Sequence, residues 1–294
     1  MLSQPPSQAG TRPERSRRDS PKKTLESRGL RSKKRLGQNF LVNMGVTDKM
    51  TAAADLSSKD VVLEVGPGLG ALTRELAWRV KKVIAVERDW VLAAFLAKEL
   101  PGVDIVEQDI LKFSLEALPP GYKVVASIPF AITAPLIRKF LEANPPADSP
   151  RSEADGPPSL LVLLVQKEVA QRICARPPRM NLLAVSVQFY ANPRIVATVK
   201  KGVFWPQPKV DAAILKLVPF EKKPGIEPAL FFRVVKAGFL HPRKQLLNNI
   251  KEGLGMKREE AERLFAACDI SPARRAETLS IADWILIAKE FTMG

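Results

Sequence analysis

The feature that most constrains this chain is a regular alternation of short apolar runs with helical stretches, which begins at Asp60. Five runs rich in Val, Ile and Leu predict strands, and the intervening segments have helical periodicity. Buried strands that alternate with helices are typical of parallel α/β sheets. With two later apolar runs, the pattern predicts the α/β class and a mostly parallel, Rossmann-like, seven-stranded sheet; the strands are expected at 61–65, 82–87, 103–108, 123–127, 160–165, 195–199 and 211–218.

The segments around this pattern predict the domain organisation of the 294 residues. Residues 1–30 contain many Ser, Pro and Arg residues and few large apolar ones, so we expect a disordered basic arm. Residues 31–222 form the expected sheet domain, with a flexible, proline-containing insertion at about 144–158. After Pro224 the pattern is helical to the end, which predicts a small all-helical domain over 223–294.

Charge and rare residues limit the possible partners and functions. The net charge of +15 predicts a polyanionic partner, and residues 1–35 alone hold 11 Lys or Arg against 3 Asp or Glu. The one histidine, His241, cannot form a histidine-ligated metal centre, and the two cysteines lie in helical contexts without a CxxC pair. No apolar run approaches the length of a membrane span, and no signal peptide is evident. We therefore expect a cytoplasmic protein without a metal and without a membrane anchor.

A glycine-rich turn follows the first strand of the sheet domain, and three acidic residues lie at or just beyond the carboxyl ends of the first three strands. Gly66-Pro67-Gly68-Leu69-Gly70 lies between a strand and a helix, where backbone N–H groups can face a ligand. Glu64 precedes this turn, Glu87 ends the next strand about 20 residues later, and Asp109 follows the third. Acidic surroundings attract the cationic donor S-adenosylmethionine and repel a pyrophosphate. The glycine pattern also fits a nicotinamide-dependent oxidoreductase, so a cofactor-binding assay is needed to separate the two interpretations.

The fourth strand ends in a motif that suits methyl transfer to a base amino group. In Ser127-Ile128-Pro129-Phe130, the Ser127 oxygen can accept a hydrogen bond from an exocyclic N–H, and Phe130 can stack on the base. Such chemistry requires alignment of the reacting atoms more than a strong general base, in agreement with the scarcity of histidine. The base has to leave its stack to reach this position.

Ordered segments over most of the chain resemble the ribosomal RNA small-subunit adenine dimethyltransferases, the KsgA family. The resemblance runs from about Lys34 to the C-terminus and rests on LGQNFL (36–41), EVGPGLGALT (64–73), VIAVERD (83–89), SIPFAITAPLI (127–137), VQKEVAQRI (165–173), FWPQPKVDAAI (204–214), HPRKQLLNNI (241–250) and RRAETLSIADW (274–284). It implies a class I methyltransferase fold and transfer of methyl groups from S-adenosylmethionine to N6 of two adjacent adenines. The implied target is a hairpin near the 3′ end of small-subunit (16S) ribosomal RNA, modified during ribosome biogenesis.

The resemblance also implies roles for individual residues. The expected catalytic residues are Ser127, Pro129 and Phe130. The expected cofactor-binding residues are Asn39, Leu41, Glu64, Gly66, Gly68, Glu87, Arg88, Asp109, Ile110 and Ser127. The expected RNA contacts are Phe130, Phe204 and Lys209, together with Arg243, Lys244, Arg274 and Arg275, which the basic character of the helical segment predicts as phosphate contacts. The sequence departs from the family motif, which usually begins with Asn and ends with Tyr, at Ser127 and Phe130; it also carries the insertion and the basic arm.

The expected partners are small-subunit ribosomal RNA and 30S assembly particles, and we expect a monomer. Two further interpretations remain besides the oxidoreductase. One is an RNA-binding ribosome-assembly factor with little or no activity, which Ser127 in place of Asn keeps open. The other is a large-subunit RNA dimethylase of the antibiotic-resistance type. Transfer of labelled methyl groups to unmethylated 30S subunits would distinguish the small-subunit dimethyltransferase from the assembly factor with little or no activity.

Overall fold

A computed structural model describes residues 21–28, 32–33, 37–142, 156–221 and 224–293 of the chain. Its strands are β1 Phe40–Leu41, β2 Val61–Val65, β3 Lys82–Glu87, β4 Asp104–Glu107, β5 Lys123–Ser127, β6 Leu160–Gln166, β7 Ala191–Val199, β8 Phe204–Trp205 and β9 Ala212–Pro219. Its α-helices are α1 Pro21–Ser27, α2 Met44–Ala53, α3 Ala71–Ala77, α4 Trp90–Glu99, α5 Thr133–Glu142, α6 Lys167–Ile173, α7 Leu182–Gln188, α8 Pro228–Gly238, α9 Leu246–Leu254, α10 Arg258–Ala267 and α11 Ile281–Met293.

Seven of these strands form one sheet in the order β4-β3-β2-β5-β6-β9-β7, which confirms the predicted fold class. The five strands β4, β3, β2, β5 and β6 are parallel to one another. Strand β9 pairs antiparallel with both β6 and β7. Strand β7 begins four residues before its predicted start and includes Pro193, which an edge strand tolerates because one of its sides has no strand partner. The strand order reverses between β2 and β5, and ligands of such sheets bind at that point beyond the carboxyl ends of the strands.

The sheet is buried on both faces, which explains why its strands are apolar throughout. Successive residues point to opposite faces, so Val62 belongs to a core with helices α2 and α3, and Leu63 to a core with α5 and α6. All residues of β6 except its last are buried. This two-sided burial fixes the register of the central strands and therefore the positions of the loops at their carboxyl ends.

Helices α8 to α11 pack on one another and on α7. Phe189, at the end of α7, stacks on Phe231 of α8 with ring centroids 4.0 Å apart. Trp284 of α11 is fully buried against Gly238, where a Cβ atom would lie 2.2 Å from the indole ring. The helical segment predicted over 223–294 therefore shares its apolar core with residues of α7.

The predicted arm and insertion lie largely outside the described residues. Of the predicted disordered arm, residues 1–20 and 29–30 are outside, but 21–28 form α1 and a following turn, which corrects the prediction there. The reason is Leu25, whose side chain is buried in a cluster with Phe40 and Leu92. Of the predicted flexible insertion at about 144–158, residues 144–155 lie outside the described part of the chain.

None of the helices in the described ranges combines the length and the apolar character that crossing a bilayer requires. Within the same ranges, no cluster of three or more His, Cys, Asp or Glu side chains could hold a metal ion. Cys174 and Cys268 are both free thiols.

Candidate functional site

A single cleft at the carboxyl edge of the sheet collects the predicted catalytic and cofactor-binding residues. Four sheet loops form its floor and sides, and residues 37–41 together with Phe204 cover it from the β1–β8 side. Every expected cofactor residue lines this cleft, as do Pro129, Phe130 and Phe204. The cleft lies at the reversal of strand order between β2 and β5, the position that the fold favours for a ligand.

The glycine turn after β2 has a backbone that other residues would strain. Gly66, Gly68 and Gly70 have φ angles of 66°, 60° and 79°. A Cβ atom on Gly68 would also lie 3.1 Å from the Phe40 ring, and one on Gly70 would lie 2.9 Å from the Leu96 side chain. The Gly66 N–H donates to the Val86 carbonyl at 3.0 Å, which anchors the turn to β3. The turn is therefore tight enough for its backbone to approach a ligand closely.

Glu64 is the most deeply buried acid of the cleft. Its side chain is 1% exposed, and its Oε2 atom has no hydrogen-bond partner among the described residues. Burial raises the pKa of Glu64 to about 8. A buried carboxyl with an unsatisfied oxygen at the wall of a cleft is suited to a cationic ligand.

Glu87 links the glycine turn to the next helix. Its Oε2 atom accepts a hydrogen bond from the Gly68 N–H at 3.3 Å, and its Oε1 atom accepts one from the Asp89 N–H at 2.8 Å. Burial raises the pKa of Glu87, and these backbone donors oppose the rise. The carboxyl group is thus fixed at the end of β3, where a ligand hydroxyl could reach it.

Asp109 and Arg88 form the outer side of the cleft. Asp109 Oδ1 accepts from the Leu111 N–H at 3.0 Å, and its Oδ2 lies 3.6 Å from an Arg88 guanidinium nitrogen. The Arg88 side chain is 63% exposed. Ile110 is buried beside them and supplies an apolar surface to the same wall. This arrangement suits a flat, uncharged ring with an amino group.

These residues fit S-adenosylmethionine. Three carboxyl groups line the cleft, and the glycine turn between Gly66 and Gly70 contains no basic residue. The orphaned oxygen of buried Glu64 offers an acceptor to a cation, and the carboxyl groups of the cleft, when ionised, would repel the pyrophosphate of a dinucleotide. The structure therefore supports the methyl donor over the nicotinamide cofactor.

The Ser127–Phe130 motif lies beside the acidic part of the cleft. Ser127 is half-buried at the end of β5, in register with Leu164 of β6. Its carbonyl oxygen would lie 3.9 Å from a Cβ atom on Gly66, so the motif and the glycine turn adjoin. Phe130 begins a 3₁₀ turn that leads into α5, and Phe204 of β8 faces the same cleft. Phe130 and Phe204, which were both expected to contact the RNA, thus share one cavity with the acids. The space between them is called the base slot below.

The other expected RNA contacts lie outside the cleft lining. Lys209 is exposed in the loop before β9. Arg243 and Lys244 precede α9, and Arg274 and Arg275 precede α11; these two loops adjoin, because the Leu246 N–H donates to the Arg274 carbonyl at 2.7 Å. Arg243 and Arg275 are exposed. Lys244 pairs with Glu252 at 3.5 Å, and the Arg274 guanidinium donates to the Thr278 carbonyl inside its own loop.

Sequence reasoning missed the residues that hold the cover of the cleft in place. Lys33 and Gln38 contact the buried carboxylate of Asp89, more than 50 positions later in the chain. Phe40 packs on the glycine turn. The family resemblance implied that Asn39 and Leu41 bind the cofactor, but no local pattern identified Asp89 as the carboxylate that holds their segment.

The fold and the cleft together define a class I S-adenosylmethionine methyltransferase. A sequence model of the family described as "Ribosomal RNA adenine dimethylase" matches residues 29–293, and the chain belongs to this family. The family expected from the sequence motifs is thereby confirmed.

Individual relatives agree with this assignment. The chain is 43% identical to "Ribosomal RNA small subunit methyltransferase A" of Dehalococcoides mccartyi, with 92% of each chain covered. It is 39% identical to the protein of the same name from Geobacillus kaustophilus, with 90% of this chain and 92% of the relative covered. Among solved structures, a dimethyladenosine transferase from Plasmodium falciparum aligns with a TM-score of 0.73 at 25% identity, over 86% of this chain and 98% of that one. The 23S rRNA methyltransferase ErmE shares the fold, with a TM-score of 0.68 at 24% identity over 86% of this chain and 100% of that one.

Proposed function

We propose that this protein transfers methyl groups from S-adenosylmethionine to N6 of adenines in small-subunit ribosomal RNA and forms N6,N6-dimethyladenosine. The observation that carries the proposal is the joining of an acidic cofactor cleft with the Ser127–Phe130 motif in one cavity. The relatives named for the small subunit favour that RNA over the large-subunit one. The proposed targets are two adjacent adenines in a hairpin near the 3′ end of the 16S RNA, presented by 30S assembly particles.

S-adenosylmethionine supplies an electrophilic methyl group on a sulfonium. The protein has to present the adenine N6 lone pair to it, although that pair is delocalised into the ring. In the proposed mechanism the Ser127 hydroxyl accepts a hydrogen bond from an N6–H and favours a pyramidal nitrogen, while Pro129 fixes the turn that carries Phe130. Stacking on Phe130 is worth about 1–3 kcal/mol and holds the everted base in place. Phe204 forms the opposite wall.

The cofactor roles follow the positions of the acids. Glu64 offers its free oxygen to the cationic part of the donor, and Glu87 accepts hydrogen bonds from the ribose hydroxyls. Asp109 accepts from the adenine amino group, next to Ile110. Asn39 and Leu41 cover the donor, the backbone at Gly66 and Gly68 receives its methionine portion, and Arg88 orients Asp109. Most of the acceleration then comes from alignment, which can supply about 7–11 kcal/mol.

The experiment that tests this function uses unmethylated 30S subunits and donor with a labelled methyl group. We expect the label in N6,N6-dimethyladenosine when the RNA nucleosides are separated by mass spectrometry. Binding of the subunits without any methylated nucleoside would instead support the assembly factor with little or no activity. Label in 50S subunits and not in 30S subunits would support the large-subunit alternative.

We also propose that residues 223–294 form an RNA-binding domain, with Lys209 contacting RNA from the sheet domain. Lys209, Arg243 and Arg275 are exposed, which leaves their charges available to phosphates. We propose further that the protein acts as a monomer in the cytoplasm, since its substrate is made there.

The basic residues give this binding a measurable dependence on salt. Each phosphate contact contributes roughly 0.7–0.9 to the slope of log affinity against log salt concentration. We expect the triple variant Lys209→Gln/Arg243→Gln/Arg275→Gln to reduce the slope by about 2 and to weaken 30S binding at low salt at least tenfold. Filter binding between low and high salt measures both quantities.

A matched control removes charges at the opposite edge of the sheet. Lys59 and Lys81 are exposed near the amino ends of β2 and β3. The Lys59→Gln/Lys81→Gln variant should keep the wild-type slope. An equal loss of slope per charge removed in the two variants would show that net charge, and not these positions, determines RNA affinity.

A further inference from the structure

The carboxylate of Asp89 holds two side chains from a distant part of the chain. Its side chain is only 2% exposed, and it accepts hydrogen bonds from Lys33 Nζ at 2.7 Å and from Gln38 Nε2 at 2.9 Å. The Lys33 N–H in turn donates to Gln38 Oε1 at 2.7 Å, which closes a ring of contacts. Lys33, Gln38 and Asp89 are called the clasp below. Burial acts against the charge of Asp89, but the hydrogen bonds from Lys33 and Gln38 prevail and lower its pKa.

The clasp fixes the residues that cover the cleft. Gln38 is followed directly by Asn39, Phe40 and Leu41, all of which line it. Phe40 lies against the glycine turn at Gly68. A Cβ atom on Gly37 would lie 3.7 Å from Pro129, so the same segment also reaches the Ser127–Phe130 motif.

Residues 37–41, which cover the cleft, are joined to the Phe204 side of the base slot through backbone pairing. Phe40 pairs with Trp205 and Leu41 with Phe204 in the two-stranded β1–β8 sheet. The Val42 N–H donates to the Val203 carbonyl at 2.9 Å and extends this pairing. A displacement of residues 37–41 would therefore move both the cofactor wall and the Phe204 wall.

Further contacts of the N-terminal segment lie on the same helix that Asp89 caps. Asp89 accepts from the Val91 N–H at 3.2 Å as the N-cap of α4. Leu25 of α1 packs with Phe40 and with Leu92 of α4, and Arg28 pairs with Glu99 at 3.1 Å. The clasp is thus the polar end of an interface between the segment before β2 and helix α4.

We propose that Asp89 is a positioning residue that, through Lys33 and Gln38, keeps residues 37–41 in place as a preformed wall of the methyl-donor cleft. The proposal rests on the proposed function, since it assigns that cleft to the donor. A wall that is already ordered does not have to be ordered by the ligand, so the donor binds more tightly. If the wall is in place for only a fraction of the time, the apparent affinity falls by that fraction.

The test has to separate positioning from the role of Asp89 as a helix cap and from the direct contact of Gln38 with the cleft. Lys33→Met meets both conditions, because Lys33 does not line the cleft and the substitution removes the ammonium group while keeping an unbranched apolar side chain in place of the lysine stem. Asp89→Asn keeps an oxygen for the Val91 cap. The control is Lys82→Met, which removes the 2.7 Å ion pair of Lys82 with Asp104 elsewhere on the surface.

Two measurements are made on the full-length protein. Hydrogen–deuterium exchange without any cofactor reports on the amides of residues 37–42, and calorimetry gives the dissociation constant of S-adenosylmethionine. Because hydrogen bonds to a charged group are strong, we expect exchange at 37–42 and the dissociation constant to rise about 3- to 10-fold in Lys33→Met. The double variant with Asp89→Asn should be less than additive, because each change alone abolishes the same ion pair between the Lys33 ammonium group and the Asp89 carboxylate. Lys82→Met should resemble wild type.

Unchanged exchange and unchanged affinity in Lys33→Met would overturn the proposal. Faster exchange over the whole chain with a lower melting temperature would also overturn it, since the contact would then be purely structural. A failure of the proposed function would look different from a failure of this proposal, because the wild type itself would then not bind S-adenosylmethionine. Hydrogen–deuterium exchange at residues 37–42 would still show whether the clasp orders them.

Discussion

Replacing Ser127 with alanine is expected to lower the rate constant of methyl transfer about 100-fold, the size of effect that loss of alignment of reacting groups produces. The hydroxyl is the only hydrogen-bonding group of the Ser127 side chain, and it lies at the carboxyl end of β5 beside the glycine turn. Because the acids that hold the donor are on other loops, its dissociation constant should change less than about threefold. Single-turnover kinetics with 30S subunits and calorimetry with the donor measure the two quantities separately.

The opposite substitution tests whether the short side chain limits this enzyme. Asparagine is the residue that the family motif usually has at this position, and its amide oxygen reaches further than a hydroxyl. We expect Ser127→Asn to retain at least the wild-type rate, with a normal ratio of dimethylated to monomethylated adenine. Ser159→Ala is the matched control for Ser127→Ala, because Ser159 lies before the start of β6, where its hydroxyl donates to the Gly121 carbonyl.

A wild-type rate in Ser127→Ala would remove Ser127 from the mechanism.

The sequence predicted the parts of the site that depend on a single strand and the turn after it. Glu64, Glu87, Asp109 and Ser127 each follow or end an apolar run, and parallel strands bring their carboxyl ends to one edge. The tight turn after β2 was likewise expected from its glycines, and the positive φ angles of Gly66, Gly68 and Gly70 are ones that glycine adopts readily. Local patterns therefore sufficed for the floor of the cleft.

The parts that were not predicted depend on contacts between distant segments. The sequence around Asp89 is typical of a helix N-cap. It does not indicate that the side chains of Lys33 and Gln38 contact the Asp89 carboxylate. Leu25 is a single apolar residue in a charged stretch, so no apolar periodicity predicts a docked helix there. The adjacency of the loops around Arg243 and Arg274 is set by the packing of α9 against its neighbours, which periodicity alone does not define.

Glu64→Gln is expected to have the other large effect, on donor affinity, and to make that affinity less dependent on pH. Because burial raises the pKa of Glu64 to about 8, most molecules of the cofactor-free protein carry a neutral Glu64 at pH 6. A cationic ligand favours the ionised form, so wild-type affinity should increase as the pH rises from 6 toward 8, by at most about tenfold per pH unit. Glutamine cannot ionise, and the variant should bind at least tenfold more weakly than wild type at pH 8.

The donor has an amino group of its own, and its titration in free solution is common to the measurements on both proteins. The ratio of wild-type to variant affinity therefore isolates Glu64, and calorimetry at pH 6, 7 and 8 should show this ratio rising. Glu116→Gln, at an exposed carboxylate, is the control and should keep the wild-type profile.

The stability of the cofactor-free protein gives an independent check with a fixed sign. The folded pKa of Glu64 is raised from 4.5 to about 8, so the contribution of this group to stability is present in full below pH 4.5 and is lost as the pH rises through 8. The amide has no such loss, and from pH 5 to pH 8.5 the variant should gain roughly 4 kcal/mol of unfolding free energy relative to wild type. Urea unfolding at the two pH values measures this difference. A constant difference in stability, together with a constant affinity ratio, would mean that Glu64 is ionised throughout and that the buried acid does not couple donor binding to pH.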